Sequence, residues 1–155
     1  MKYRMLTGEE LEVLAEELKH FLIVNGVHDE EWREMNVLDI PKAKSLVALF
    51  SDTVLQKVYE KIQYIEYRSE ASCLAFKLDK ERIQLISLNR KAESNVDLST
   101  PASIHSVLVN NSSQVTLFKS EKAYKKEREL EIHEMIEKGC SNSTKEFWDL
   151  LCKII

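Results

Sequence analysis

The sequence predicts an α+β fold: N-terminal helices, a small antiparallel sheet of three to four strands, and C-terminal helices packed on that sheet. Three observations carry this. The 155 residues hold only three Gly and two Pro, and nearly all of these breakers stand where a helix would begin or end. Apolar residues recur at helical spacing up to about Lys61, then switch to near alternation. Capping pairs of the Thr-x-x-Glu and Ser-x-x-Glu type precede two of the periodic segments.

The first helix starts at Thr7, where Thr7 and Glu10 fit a capping box and Leu6 and Leu11 flank it as a hydrophobic staple. Leu11, Leu14, Leu18, Phe21 and Leu22 share one face, and Asn25-Gly26 supplies a left-handed stop after Val24. Asp29 is placed to cap a short helix carrying Trp32 and Met35. A third helix opens at Asp39-Ile40-Pro41; its stripe of Leu46, Val47, Phe50, Val54, Val58 and Ile62 is widened by Ala48, Leu49, Leu55 and Tyr59, which predicts a central position. Asp52 interrupts it within a narrow polar sector shared with Ser45 and Gln56, so exposure is expected, with a buried pairing to Arg68 as the alternative.

Three strands follow: YIEYRS, SCLAFKL and RIQLISL, the last two joined through Asp79-Lys80-Glu81. Leu74, Phe76 and Leu78 share one face of the second, and in the third either Ile83 with Leu85 or Ile86 with Leu88 faces the core. Residues 92–100 read as a loop, and Thr100-Pro101 begins a short helix through Leu108. VTLFK is a fourth strand. Ser120 then caps a long charged helix that stops at Gly139, and a final helix is capped by Ser143 with Glu146 and carries Phe147, Leu150, Leu151 and Ile154.

A chain of 18.0 kDa, 44% hydrophobic and 31% charged, suits one domain with its own core. No apolar run reaches the roughly 18–20 residues of a membrane span, and the N-terminus lacks the apolar stretch of a signal peptide, which places the expected location in the cytoplasm and away from membranes. Cys73, Cys140 and Cys152 are odd in number and lack metal-type spacing, as expected of buried thiols. The net charge of −4 is uneven. Residues 1–40 carry four basic and ten acidic side chains, whereas residues 77–91 and 119–128 each carry five basic against two acidic.

The strongest binding candidates lie in KSEKAYKKER: Lys122, Tyr124, Lys125, Lys126 and Arg128, cations bordering an aromatic ring. On a helix, Tyr124 and Arg128 would share a stripe with Ile132, Met135 and Ile136, and Lys125 would pair with Glu121 and Glu129, so a salt-bridged helix face competes with a ligand surface. His133-Glu134 with Glu137 matches only part of a zinc-binding helix. His28-Asp29-Glu30-Glu31 suits a helix N-terminus as well as a cation, and Cys140 has no adjacent base. No catalytic residue, metal or cofactor is assigned.

MKYRMLTGEEL, LFSD at 49–52, KIQYIEYRS at 61–69 and KSEKAYKKERE at 119–129 together resemble a family of short uncharacterised bacterial proteins that begin M-K-Y-R-x-L-T-x-E-E-L. The resemblance covers most of the chain. It implies a bacterial, intracellular, single-domain protein and carries no activity, substrate or catalytic residue with it.

The expected function is therefore binding without catalysis: a protein-interaction or regulatory module acting on a protein partner or a second copy of itself. Val13, Ile23 and Val24 lie outside the main stripe of the first helix and are the apolar positions free for such contacts. The alternative is a small-molecule binder or enzyme whose polar groups converge only in three dimensions. A third reading, weak nucleic-acid binding, needs the basic segments 77–91 and 119–128 on one face, and helical geometry, which turns Tyr124 inward and pairs Lys125 with Glu121 and Glu129, weakens it.

Overall fold

The computed structural model describes residues 1–154 and has an α+β architecture of helices and one five-stranded antiparallel sheet. It divides into two compact units, residues 1–60 and 61–155.

The first unit is helical. α1 (Gly8–Val13) begins at the expected capping box, in which the Thr7 hydroxyl accepts the Glu10 N–H and the Glu10 carboxylate accepts the Thr7 N–H. The single helix expected through Val24 is interrupted at Leu14 (φ −99°, ψ 21°), and α2 (Ala15–Val24) follows. Leu14 N–H still reaches the Glu10 carbonyl and Leu18 N–H the Leu14 carbonyl, so the interruption is a one-residue relaxation of a continuing ladder. Gly26, at φ 78°, ends α2: Gly26 N–H bonds the Ile23 carbonyl and Val27 N–H the Leu22 carbonyl, the paired bonds of a Schellman stop. His28, not Asp29, stands at the cap of α3 (Asp29–Leu38) with extended backbone (φ −95°, ψ 170°) and no side-chain capping bond, and the Asp29 carboxylate lies 3.5 Å from the Lys19 ammonium.

α4 (Ile40–Lys61) buries Ala43, Phe50, Ser51, Leu55 and Tyr59, whereas Leu49 and Val58 are exposed, so its buried arc is narrower than the apolar pattern implied. Its polar positions are not surplus. The Ser51 hydroxyl, fully buried, donates to the Val47 carbonyl and accepts the Leu6 N–H. Asp52 is neither simply exposed nor paired with Arg68: its carboxylate accepts the N–H groups of Lys2 (2.6 Å) and Tyr3 (2.8 Å). Gln56 takes the Tyr3 hydroxyl, and the Tyr3 and Tyr59 rings meet edge to face at 5.1 Å. The polar sector of α4 thus straps the N-terminal segment to the helix.

In the second unit the strands run in the order β4-β3-β2-β1-β5, with β1 Tyr64–Arg68, β2 Ser72–Leu78, β3 Arg82–Arg90, β4 Val115–Ala123 and β5 Ser141–Asn142. Five strands replace the three to four expected. The fifth is a two-residue strip pairing Ile65 with Asn142 and Glu66 with Ser141, too short to leave a period in the sequence. It follows Gly139, whose φ of 112° makes the turn.

Cys73, Ala75, Ile86 and Leu88 face the core, where they meet α5 (Pro101–Asn110) through Ile104, Val107 and Leu108, and α7 (Lys145–Cys152) through Phe147, Trp148 and Leu151. Leu74, Phe76 and Leu78 do share a face, but it is the opposite one; β2 gives the main core its small residues, Cys73 and Ala75, while Ile86 and Leu88 supply bulk from β3. α5 opens as expected at Thr100, with Ser103 closing the reciprocal cap. α7 does not open at Ser143. The Thr144 hydroxyl accepts the Phe147 N–H, and the Ser143 N–H bonds the Tyr64 carbonyl beside β1.

The largest difference lies in residues 119–127. The charged helix expected from Ser120 begins only at Arg128, as α6 (Arg128–Glu137), and KSEKA instead completes β4. β3 offers a nine-residue ladder down to Arg82, which pairs with Ala123, and the Arg82 guanidinium holds Glu121 at 2.8 Å. Tertiary pairing outweighs local helix propensity there.

The capping box of α1 has a measurable signature. Hydrogen bonds from Arg4 and from the Thr7 backbone lower the Glu10 pKa from 4.5 to about 2. A lowered folded-state value means a contribution that is complete above the unfolded pKa and is lost as pH falls through the folded one. A carboxyl-carbon NMR titration is expected to find Glu10 still ionised at pH 3; a midpoint near 4.5 would show that the box is not formed in solution.

Candidate interaction groove

The Schellman stop at Gly26 turns the chain back so that α3 lies beside α1 and α2, and an open groove of about 420 Å³ remains between them. Leu11, Leu18, Leu22, Val27 and Trp32 form its apolar lining, with Gly8 and Ala15 as its small residues. Polar groups sit at the margin: Glu12, His28 and the Lys19–Asp29 pair, whose side chains are more than half exposed. A second depression of about 370 Å³ shares Lys19, His28 and Asp29 and adds Ile23, Glu30 and Glu31. Of the three acidic residues in the first turn of α3, Asp29 borders the apolar trough and Glu30 and Glu31 line the adjoining depression. Val13 (82% exposed), Ile23 (42%) and Val24 (71%), the apolar residues outside the helix stripe, are all open to solvent.

Most of this site is legible only in part from sequence. Leu11, Leu18, Leu22 and Trp32 carry helical periodicity, but periodicity cannot distinguish a core position from a groove wall.

The residues of the basic segment do not form a single surface. Lys119 and Lys122 project from opposite faces of β4. Lys122 and Lys125 are exposed, while the Lys126 ammonium contacts Glu134 at 2.5 Å and depresses its carboxyl pKa. Tyr124 lies before α6, its hydroxyl donating to the Asp79 carbonyl at 2.6 Å, and burial raises its pKa. Arg128 turns inward. Its guanidinium donates to the carbonyls of Asp79 (3.2 Å), Leu78 (3.0 Å) and Ile62, joining the β2–β3 turn to the residues entering β1. Tyr124 and Arg128 therefore read the backbone of their own sheet. The adjacent basic segment 77–91, from the end of β2 through β3, is likewise partly engaged, with Arg82 on Glu121 and Lys77 3.9 Å from Asp79.

A second polar cluster lies on the core face of the sheet. Glu66 and Arg68, on β1, are ion-paired with little exposure, and the Arg68 guanidinium stacks over the Phe147 ring at 4.6 Å. Cys73 is the cross-strand neighbour of Arg68; burial pushes its thiol up to about 11, against the opposing pull of the guanidinium. Burial also raises the Cys140 thiol. Neither is an activated nucleophile. Among the described residues no group of three or more His, Cys, Asp or Glu is placed to hold a metal, and no helix is long and apolar enough to cross a membrane.

A family model matches the chain over residues 1–155. The protein belongs to DUF6495, a family of unknown function. No curated protein and no solved structure matches the chain. The DUF6495 match spans the groove-bearing helices and the sheet alike, including the segments MKYRMLTGEEL and KSEKAYKKERE.

Two outcomes follow for this DUF6495 protein. Arg128→Ala leaves three part-buried carbonyls without their charged donor and is expected to destabilise the sheet unit by roughly 2–3 kcal/mol in urea melts, whereas Lys125→Ala stays within about 0.5 kcal/mol. Equal, small effects would remove Arg128 from its structural role. Alkylation of the native protein at pH 8 is expected to spare Cys73 and to reach it only on unfolding; native-state labelling of Cys73 would show that its burial is not maintained.

Proposed function

We propose that this protein is an interaction module without catalysis, and that its N-terminal groove holds a basic amphipathic segment of a partner protein. The carrying observation is the combination of an apolar trough lined by Leu11, Leu18, Leu22, Val27 and Trp32 with an acidic margin. A helix laid into a groove uses apolar anchors one turn apart and reads the rim through charge. Residues 1–40 carry ten acidic against four basic side chains, so the complementary partner is cationic. The exposed Ile23, which lines the adjoining depression, extends the apolar area available to it. The family match across both units supports treating the whole chain as one functional domain.

The basic residues Lys122 and Lys125 remain, in this reading, a secondary surface for an anionic group, with no partner assigned. The open form of the groove favours a polypeptide over a sequestered small molecule.

Trp32 provides the probe. A helical Lys/Leu peptide with apolar residues at i, i+3, i+4 and i+7 is expected to shift Trp32 emission, and an acidic peptide of the same apolar spacing is not. Ala15→Arg places a cation at the groove without removing a buried side chain, and is expected to weaken binding tenfold or more at unchanged melting temperature; Trp32→Phe removes the signal. Indifference to peptide charge, or to Ala15→Arg, would sink the groove reading.

A further inference from the structure

β4 forms one edge of the sheet, with β3 as its strand neighbour among the described residues. Nine residues long and mostly solvent-exposed, it includes Phe118 at 57% exposure. The direction of its backbone groups follows from the ladder. Asp79 N–H bonds the Arg82 carbonyl and Arg90 N–H the Ala71 carbonyl, so the even-numbered residues of β3 bond toward β2. Lys91 N–H bonds the Gln114 carbonyl, in register with the β3–β4 ladder, so odd-numbered β3 residues bond toward β4. Alternation then directs Thr116, Phe118, Ser120 and Lys122 inward to β3, and leaves the N–H and C=O groups of Leu117, Lys119 and Glu121 directed away from it.

We propose that β4 pairs antiparallel with β4 of a second copy of the chain, about a twofold axis at Ser120. The sequence of the edge is self-complementary in that register. Lys119 stands opposite Glu121 of the second copy, twice by symmetry, and both are hydrogen-bonded positions. Leu117 stands opposite Ala123, and Phe118 opposite Lys122 in the closer, non-hydrogen-bonded pairs, where the ammonium can lie over the ring. An axis at Lys119 would set two ammonium groups face to face. An axis at Phe118 would leave Glu121 opposite Val115 and Lys119 opposite Leu117. Lysines on an edge strand ordinarily repel indiscriminate strand addition; the intervening Glu121 makes one twofold mate the exception. The inference is independent of the N-terminal groove.

A single strand pair covers less than a standard interface of roughly 1,200–2,000 Å², so the dimer is weak and reversible. Sedimentation equilibrium of the full chain, from about 1 to 300 µM, is expected to show a monomer–dimer equilibrium that weakens at high salt. Lys119→Glu alone and Glu121→Lys alone each place like charges opposite one another and are expected to weaken self-association tenfold or more, while an equimolar mixture of the two pairs again, since both 119–121 contacts in the mixed dimer join opposite charges. In the unmutated protein the amides of Leu117, Lys119 and Glu121 are expected to gain hydrogen-exchange protection with concentration, and those of Phe118 and Ser120 to stay protected throughout. A chain that stays monomeric across the range, a dimer indifferent to both charge reversals, a mixture that fails to pair, or edge amides whose exchange ignores concentration would each overturn the proposal.

Discussion

The sheet unit depends on one guanidinium. Arg128 opens α6 and spans, through the carbonyls of Ile62, Leu78 and Asp79, the segment entering β1, the end of β2 and the following turn. Its charge is mostly shielded from water, and the cost of that desolvation is offset because its donors meet three backbone carbonyls. The Tyr124 hydroxyl shares the Asp79 carbonyl, so two side chains four residues apart converge on one backbone oxygen 45 residues earlier in the chain than Tyr124. A stretch whose composition suggests a charged ligand surface is in large part an internal latch.

The helical unit uses the same device with the opposite charge. Asp52, with Ser51 and Gln56, turns a polar interruption of α4 into acceptors for the backbone of Lys2, Tyr3 and Leu6. Side-chain oxygens from the helix accept the N–H groups of the N-terminal segment as a neighbouring strand would. Both units therefore spend their conspicuous polar residues on backbone groups of irregular chain.

That use explains what could be read in advance. Elements announced by local chemistry are placed correctly: Thr7 and Thr100 cap their helices, Gly26 stops α2, and the three central strands run over their expected segments. What was not legible depends on distant chain. Ser120 has the composition of a helix cap but lies opposite Leu85 in a ladder whose length β3 sets, and β5 exists only because Gly139 brings Ser141 and Asn142 beside β1. The groove was half visible: its apolar walls repeat at helical spacing, but the angle at Gly26 that parts α2 from α3 has no linear pattern beyond the Asn-Gly pair.

The two proposed surfaces differ in how they would select a partner. The groove is apolar with a margin in which acidic residues outnumber Lys19, so its selectivity against anionic segments comes from repulsion, and its attraction fades with salt. The β4 edge is nearly charge-balanced between Lys119, Glu121 and Lys122 and selects by position: a shift of the twofold by one residue exchanges attraction for repulsion. Main-chain hydrogen bonding supplies no discrimination on either side of that choice, because every strand offers the same donors and acceptors. Specificity at the edge therefore rests on the alternation of sign along β4, and Glu121, held extended by Arg82 at 2.8 Å, is the residue that sets it.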